Sequence, residues 1–389
     1  MGSPTARIEA SNAARDWADS GAMALTGRAD GPPQLSPGGP ASWMRAAAAF
    51  IDIPDALPDP AALLGERAAL EGLRRNAPVS VGGAFRALRA ADGWFGLSLS
   101  RASDIDLVPA LVEAAPDGDY WSAVTRWLAN QTVAEAAERV RLLGMPGGPI
   151  PADGVEPLRP AVEVGLGGSC SGRSEPRVVD LSALWAGPLC SHLLSMVGAH
   201  VVKVESLTRP DGSRGSMSFE RLHAGKEMVK LDFGTAHGRA VLFDLVASAD
   251  IVVTSARPRA LQQLGLDPAA HSQAGAVWVA ITAYGMRQGD RVGFGDDVAA
   301  AGGLVAFDGE QPYPVGDAIA DPLTGMTAAA AAIVALRAGI GCVLDVSMRD
   351  VVAAAAALPS ADAEAEDREG AWWVVTEDGT VPVREPRAR

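Results

Sequence analysis

Strand-length apolar segments alternate with helical segments through residues 177–358. The apolar segments are residues 178–181, 201–205, 251–253, 277–282 and 343–346. Because strand–helix–strand units cross over right-handed and leave their strands parallel, this alternation predicts an α/β fold with a Rossmann-like parallel sheet and helices on both faces. Residues 93–99 alternate like a strand and are followed by helical patterns. They predict a smaller α+β domain beside the sheet.

The chain divides into five parts by local composition and periodicity. Residues 151–176 are rich in Gly, Pro and Ser and predict a linker. The end of the chain begins with an acidic stretch and then carries two strand-like runs around Asp378-Gly379, which predict a hairpin. The predicted parts are a helical segment (1–60), a small α+β domain (61–150), the linker (151–176), the large Rossmann-like domain (177–358), and an acidic linker with a short hairpin (359–389).

Charge and composition exclude several classes of function. The net charge is −14, whereas nucleic acids and anionic membranes call for a basic surface, so neither is an expected partner. No apolar run is long enough to cross a bilayer, and residues 1–10 lack the apolar core of a signal peptide. Three cysteines without CxxC spacing fit a reduced, cytoplasmic protein.

Several common catalytic motifs are absent from the sequence. The first strand–turn–helix of the large domain contains Ala186-Gly187-Pro188 and no GxGxxG, so the dinucleotide fingerprint is missing. GxxxxGK[ST], HExxH and GxSxG are also missing, and the five histidines and three cysteines have no zinc-ligand spacing. We therefore expect no metal site and no tightly bound cofactor.

A series of short segments follows a specific order along residues 178–352. They are Val179-Asp180-Leu181-Ser182, Ala186-Gly187-Pro188, Gly198-Ala199-His200-Val201, Gly225-Lys226, Leu231-Asp232, Ala249-Asp250-Ile251, Arg257-Pro258, Thr282-Ala283-Tyr284-Gly285, Ala320-Asp321-Pro322-Leu323-Thr324-Gly325-Met326 and Leu344-Asp345-Val346-Ser347. In this order they resemble the family III CoA-transferases (the CaiB–BaiF family), which include formyl-CoA transferase and α-methylacyl-CoA racemase. The resemblance implies a CoA-transferase of the EC 2.8.3 type, with acyl-CoA and carboxylic acids as substrates and CoA itself as a substrate.

The order of the segments departs from that family. Residues 1–60 resemble the second half of its large domain, and residues 61–150 resemble its small domain, yet both precede the CoA-binding part. Residues 16–23 also resemble residues 297–304, and each stretch is followed by an Ala-rich helix. We interpret the order as a duplicated ancestor that lost its first sheet, or as a circular permutation.

Asp321 is the predicted catalytic residue. From its surroundings alone, Asp-Pro before an Ala-rich helix is an ordinary N-cap followed by Pro at the first helical position. The resemblance instead places Asp321 on the family's nucleophilic aspartate, which forms a covalent aspartyl-CoA intermediate. The two interpretations are compatible, because a carboxylate at a helix N-terminus is expected to stay ionised. Gly302 and Gly303 could stabilise the oxyanion, or could form a plain packing turn.

Cations are expected to bind the phosphates of CoA. The resemblance places Arg257 on a phosphate-binding arginine and Lys226 on a matching basic position, and Arg209 is a nearby candidate. The alternative for each is a solvated surface charge. Trp185, Ala186 and Gly187 are expected around the adenine, although Trp185 could be a core residue. Tyr284 is expected in the acyl pocket.

Three alternatives remain open from the sequence. A racemase of this family carries a His after a Gly, whereas the matching segment here is Gly293-Phe294-Gly295, so transfer is favoured over racemisation. The unusual segment order also allows a CoA-binding pseudoenzyme or one subunit of a hetero-oligomer. Family members form interlocked dimers, and the resemblance therefore implies a homodimer.

Overall fold

The computed structural model of the chain describes residues 10–52, 57–115, 118–152, 155, 157–170, 173–360 and 363–388. Its first part is helical and leads into a small α+β unit. The helices of the first part are α1 (Ala10–Ser20), α2 (Pro40–Ala48) and α3 (Leu63–Glu71). The elements of the small unit are β1 (Phe85–Arg89), β2 (Trp94–Ser98), α4 (Ala102–Asp106), α5 (Val108–Val112), α6 (Tyr120–Leu128), α7 (Val133–Leu143) and β3 (Gly147–Ile150).

The large part of the chain alternates strands and helices, as the sequence predicts. Its elements are β4 (Val162–Ser169), β5 (Arg177–Asp180), α8 (Ala186–Met196), β6 (His200–Ser206), α9 (Met217–His223), β7 (Glu227–Leu231), α10 (Ala236–Ala247), β8 (Ile251–Thr254), α11 (Pro258–Leu264), α12 (Pro268–Gln273), β9 (Val277–Thr282), α13 (Gly295–Ala301), β10 (Val305–Asp308), β11 (Gln311–Pro314), α14 (Ala320–Arg337), β12 (Ile340–Ser347) and α15 (Met348–Ala356). Three strands follow: β13 (Glu364–Arg368), β14 (Ala371–Thr376) and β15 (Gly379–Pro382).

Seven strands form the main sheet in the order β4-β12-β9-β8-β5-β6-β7. All neighbouring pairs are parallel except β4 with β12. The prediction of an α/β fold is confirmed. From β5 the chain runs outward through β6 to β7, and then returns to β8 on the other side of β5. Such a change of direction leaves a crevice beyond the carboxyl ends of β5 and β8, where ligands of open α/β sheets bind.

The predicted linker over residues 151–176 is wrong for residues 162–169, which form the edge strand β4. Glycines in this strand suggested a loop, but two of the three, Gly167 and Gly168, are required by close packing. A Cβ atom on Gly167 would lie 2.9 Å from the carbonyl oxygen of Gly341 on the neighbouring strand. The alternation Val162-Glu163-Val164 is the strand signal that the surrounding Gly and Pro residues obscure.

The helical first part packs on the large part and shares its core. Trp17, Met44 and Leu64 belong to the same hydrophobic cluster as Met326 of α14. The Trp43 indole N–H donates to Oγ1 of Thr327 at 2.9 Å. The small unit has a separate core built from β2 and the helices α5 to α7. Helix α3, which the sequence assigns to the small domain, therefore packs with the large part.

The Ala-rich helix α14 lies close against α8. A Cβ atom on Gly325 would lie 2.6 Å from the carbonyl oxygen of Ala186, so only glycine permits this approach. Gly325 is one turn after Asp321, and the contact therefore fixes the start of α14 next to the first turn of α8.

The chain end forms a three-stranded antiparallel sheet. The predicted hairpin is confirmed as β14 and β15. The predicted acidic linker is wrong for residues 364–368, which form β13 and pair antiparallel with β14 along their whole length. After β15 the tail returns to the first helices: Arg384 pairs with Asp19, and Arg387 pairs with Asp59 at 2.8 Å. A Cβ atom on Gly21 would lie 2.9 Å from Cα of Pro386.

None of the helices in the described part of the chain has the length and hydrophobicity needed to cross a membrane.

Candidate active site

A cleft of about 320 Å³ opens at the carboxyl ends of β5 and β8. Its walls come from the loops after β5, β6, β8 and β9, from the segment before α13, and from the first turn of α14. The small unit contributes one side chain, Arg101. The lining residues are Arg101, Ala183, Leu184, Ala186, Gly187, Arg209, Ser255, Ala256, Arg257, Ala260, Ile281, Thr282, Ala283, Gly289, Arg291, Val292, Gly293, Phe294, Asp321 and Met348.

Five of the residues predicted from the sequence lie together in this cleft: Asp321, Arg257, Arg209, Ala186 and Gly187. Their segments are up to 135 positions apart in the chain, and the parallel sheet brings them to one edge. Gly187 is required here, because a Cβ atom at this position would overlap the side chain of Ser182.

Asp321 occupies the second position of α14. The helix begins at Ala320 and its N-cap is Ile319, so the predicted N-cap role of Asp321 is wrong. The carboxylate is half-buried and faces the cleft. The backbone N–H of Ala186 hydrogen bonds to it. The carboxylate is therefore held between the first turns of two helices, α8 and α14.

The surroundings of Asp321 do not keep it strongly ionised, in contrast to the expectation from the helix N-terminus. Burial raises the pKa of its carboxyl group to about 7; the Arg67 guanidinium opposes this rise, and Asp296 and Asp317 add to it. Burial likewise raises the pKa of Asp296, to about 6, again against Arg67. Near neutral pH, Asp321 is thus poised between its two protonation states, which is typical of residues that do chemistry.

The turn before α14 is strained and tightly held. Ala318 has a φ of +43°, a conformation that residues with a Cβ rarely adopt. Its N–H donates to Oδ1 of Asp296 at 3.0 Å. The preceding Asp317 is fully buried and accepts two hydrogen bonds from Arg67, one of them at 2.9 Å. Strain of this kind persists where surrounding contacts enforce it, often at functional sites.

Four arginines line the cleft, and they differ in their partners. Arg209 and Arg257 are exposed, and neither makes an ion pair with any residue that the structure describes. Arg101 is paired with Asp104, and its guanidinium lies 5.4 Å from the ring centre of Phe294. Two of the four charges are thus available for an anionic ligand.

Arg291 packs on Tyr284. Its guanidinium lies 3.5 Å from the centre of the ring and covers it. Tyr284 is buried and outside the cleft lining, so the structure does not place it in an acyl pocket. Gly302 and Gly303 also lie outside the lining of the cleft. They follow the last residue of α13, whereas its first residue approaches Asp321. The two ends of this seven-residue helix are about 10 Å apart, so both glycines are far from the carboxylate.

Lys226 lies in a buried ionic cluster away from the cleft. Its Nζ lies 3.3 Å from Oδ2 of Asp180 and donates to Oγ of Ser191 at 2.7 Å. Lys203 approaches the other carboxylate oxygen of Asp180 at 3.7 Å. Burial lowers the pKa of Lys226 to about 8, against the charge of Asp180. The structure therefore does not bring Lys226 together with the predicted residues of the cleft, because its amine is paired with the buried carboxylate of Asp180.

Trp185 is buried just outside the cleft. The Arg67 guanidinium lies 5.0 Å from its ring centre. The sequence left open whether Trp185 lines the adenine site or packs in the core, and its environment is that of a core residue.

The sequence reasoning missed Arg67, Arg101, Arg291 and Gly295. The first two come from the first 150 residues, and nothing in their local pattern indicates a long-range contact with the large part. Gly295 had a detectable signal, because it falls in the segment Gly293-Phe294-Gly295 that was compared with racemases. A Cβ atom on Gly295 would lie 2.6 Å from Cβ of Ala318, and closer still to Oδ2 of Asp321.

Comparison with known proteins identifies relatives of the large part. The model of CoA-transferase family III matches residues 174–374, just over half of the chain. Succinyl-CoA–D-citramalate CoA-transferase of Chloroflexus aurantiacus is 32% identical over 198 residues, which cover 46% of this chain and 49% of that protein. Succinate–glutarate CoA-transferase of Agrobacterium fabrum is 30% identical over 204 residues, which cover 46% and 51%. The chain spans about half the length of these relatives.

Among solved structures, a hypothetical protein from Mycobacterium tuberculosis is similar, with 26% identity and a TM-score of 0.47. The aligned residues cover 53% of this chain and 65% of that one.

Proposed function

Because the chain belongs to CoA-transferase family III, we propose that it moves CoA from an acyl-CoA to an acceptor carboxylic acid, with Asp321 as the nucleophile. The observation that carries the proposal is the pairing of one reactive carboxylate with two free arginines in a single cleft. Asp321 faces that cleft, and Arg209 and Arg257 line it. If the two arginines bind the phosphates of an acyl-CoA, the Asp321 carboxylate lies in the same cleft and can accept the acyl group.

The proposed reaction needs no proton transfer. The Asp321 carboxylate attacks the thioester carbonyl, forming a mixed anhydride and releasing CoA thiolate. The thiolate attacks the aspartyl carbonyl, giving an aspartyl-CoA thioester and the free donor acid. The acceptor carboxylate then attacks this thioester, and the released thiolate attacks the acceptor's acyl carbonyl in the new anhydride, which restores Asp321. Each step requires an ionised attacking group, so the ionised fraction of Asp321 limits the rate of the first step.

The backbone N–H of Ala186 is the group best suited to stabilise an oxyanion on the aspartyl carbonyl. It already hydrogen bonds to the carboxylate in the free protein. Because this donor is fixed at the start of a helix, it can hydrogen bond to the oxyanion of the tetrahedral state without reorganisation. This role replaces the one expected for Gly302 and Gly303.

The relatives suggest succinyl-CoA as the first donor to test, because two of them are named for succinate or its thioester. D-Citramalate and glutarate, named in the same relatives, are the first acceptors. An acyl-CoA racemase is less well supported, because no histidine lines the cleft in the described residues.

The proposal is tested by trapping the covalent intermediate. The protein is incubated with succinyl-CoA and then with hydroxylamine, and peptides are analysed by mass spectrometry. We expect a hydroxamate on Asp321, which Asp321→Asn abolishes while CoA binding remains. Asp290→Asn, which removes an exposed carboxylate outside the cleft lining, is the matched control and should label normally. CoA binding without labelling by a panel of acyl-CoAs would favour a pseudoenzyme or a hetero-oligomer subunit.

We also propose that the chain forms a homodimer, as its family does, and that it works in the reducing cytoplasm. The three cysteines, Cys170, Cys190 and Cys342, are free, in keeping with that compartment. Size-exclusion chromatography with light scattering tests the dimer: a single species at the 40.0 kDa chain mass would count against it.

A further inference from the structure

Three carboxylates gather at the start of α14, and one arginine from a distant part of the chain contacts the group. Asp296 comes from α13, Asp317 from the turn before α14, and Asp321 from α14 itself. Arg67 comes from α3 and is 250 positions before Asp317 in the sequence. Its guanidinium donates to both oxygens of Asp317 and lies over Trp185, the residue before Ala186.

The geometry of this group is asymmetric. The cleft is in front of Asp321, with Arg101, Arg209, Arg257 and Arg291 along its walls. Asp296, Asp317 and Arg67 approach from the other elements around it, and from the start of α8 the backbone N–H of Ala186 hydrogen bonds to it. Asp317 is 0% exposed and Arg67 is mostly buried. Interactions between charges are stronger in such an environment than in water.

We propose that Arg67 is a positioning residue for Asp321: paired with Asp317, it fixes the turn that presents the carboxylate, and its charge favours the ionised form of the nucleophile against the nearby charges of Asp296 and Asp317. The inference rests on the proposed function of Asp321, and it assigns to the first half of the chain a part in the site. Arginine suits this position because its planar fork can hold Asp317 with two bonds while its charge still acts on neighbouring carboxylates.

Two physical effects follow from this arrangement and can be separated. Arg67 is the largest influence that lowers the pKa of Asp321, and it also lowers that of Asp296. Removing the charge should therefore raise the pKa of Asp321. Replacing the guanidinium of Arg67 with a single ammonium group keeps the charge but removes the second hydrogen bond to Asp317. This change should loosen the turn at Gly316–Ala318 and leave the pKa of Asp321 nearly unchanged.

The test measures the pKa of Asp321 directly, by ¹³C NMR of the full chain with ¹³C-labelled aspartate, using Asp321→Asn to assign the signal. We expect Arg67→Met to raise this pKa by about 1, as loss of a nearby opposite charge does. Asp317→Asn should lower it. Arg74→Met removes an exposed arginine three residues after α3 and should leave it unchanged. An unchanged pKa in Arg67→Met would overturn the inference.

Arg67→Met leaves the buried Asp317 unpaired and could impair folding, so the double variant Arg67→Met/Asp317→Asn is measured as well. It removes both charges of the pair. Because Arg67 acts on Asp321 more strongly than Asp317 does, the pKa should still be higher than in the wild type. A pKa equal to or below the wild-type value would also overturn the inference.

Covalent labelling by succinyl-CoA gives the second readout. In Arg67→Met the rise of the labelling rate with pH should move to higher pH, by the same amount as the NMR pKa. Arg67→Lys should keep the wild-type pH dependence but label several-fold more slowly at every pH. If wild-type protein is never labelled, the proposed function fails, while the NMR titration still decides whether Arg67 controls Asp321.

Discussion

Gly295, the first residue of α13, lies directly against the carboxylate of Asp321. A Cβ atom added to Gly295 would overlap Oδ2 of Asp321 and lie 2.6 Å from Cβ of Ala318. We therefore expect Gly295→Ala to displace the carboxylate and slow its labelling by acyl-CoA about 100-fold, the effect of a misplacement near 1 Å. Gly165→Ala is the control, since its nearest neighbour would be 3.8 Å away. Wild-type labelling in Gly295→Ala would show that this contact does not position Asp321.

The pKa of Asp321 predicts how its reactivity depends on pH. With a pKa of about 7, roughly 10% of the carboxylate is ionised at pH 6 and 90% at pH 8. The rate of covalent labelling should therefore rise roughly tenfold between these values. A stopped-flow or quenched labelling series from pH 5 to pH 9 measures the rise. A constant rate over this range would indicate a carboxylate with an ordinary, low pKa.

Lys226 is expected to stabilise the fold and to leave CoA binding alone. Lys226→Met breaks a buried pair with Asp180 and should lower the free energy of unfolding by about 3 kcal/mol, with Lys203 retaining part of the compensation. Urea denaturation measures the loss, and Lys230→Met, an exposed lysine on β7, is the control. If Lys226→Met keeps the wild-type stability but no longer binds CoA, Lys226 contacts CoA after all.

Arg257 is expected to bind the phosphates of CoA. Arg257→Ala should weaken CoA binding roughly tenfold in calorimetry at low salt, because a charge-assisted hydrogen bond is lost. The difference should shrink as the salt concentration rises, since exposed charges are screened. Arg259→Ala removes a neighbouring exposed arginine outside the cleft lining and is the matched control. Equal losses in the two variants would point to general charge attraction.

Local pattern and short motifs predict much of the large part of the chain. The apolar runs at residues 178–181 and 251–253 overlap the neighbouring strands β5 and β8, with ends that differ by one residue. Arg257 and Asp321 follow such patterned segments, and a parallel sheet brings their segments to one edge. Thr132 and Glu135 form a capping box at the start of α7, a feature that depends only on residues three positions apart.

Contacts between distant segments were beyond sequence reasoning. The pair of Arg67 and Asp317 joins residues that neither periodicity nor spacing connects. Lys226 is the basic residue that the family resemblance predicts at this position. Its amine is nevertheless paired with the buried Asp180, which lies 46 positions earlier in the chain. The edge strand β4 was hidden because Gly167 and Gly168 allow close packing, whereas glycines in a sequence more often indicate a loop.

The tail after β15 also has a consequence for the cleft. Arg387 holds Asp59 just before α3, and Pro386 fills the space beside Gly21 and Gly65, the latter in α3 itself. The helix that carries Arg67 is therefore buttressed by residues near position 386. Substitutions at Pro386 or Arg387 would therefore act on the nucleophile from outside the cleft.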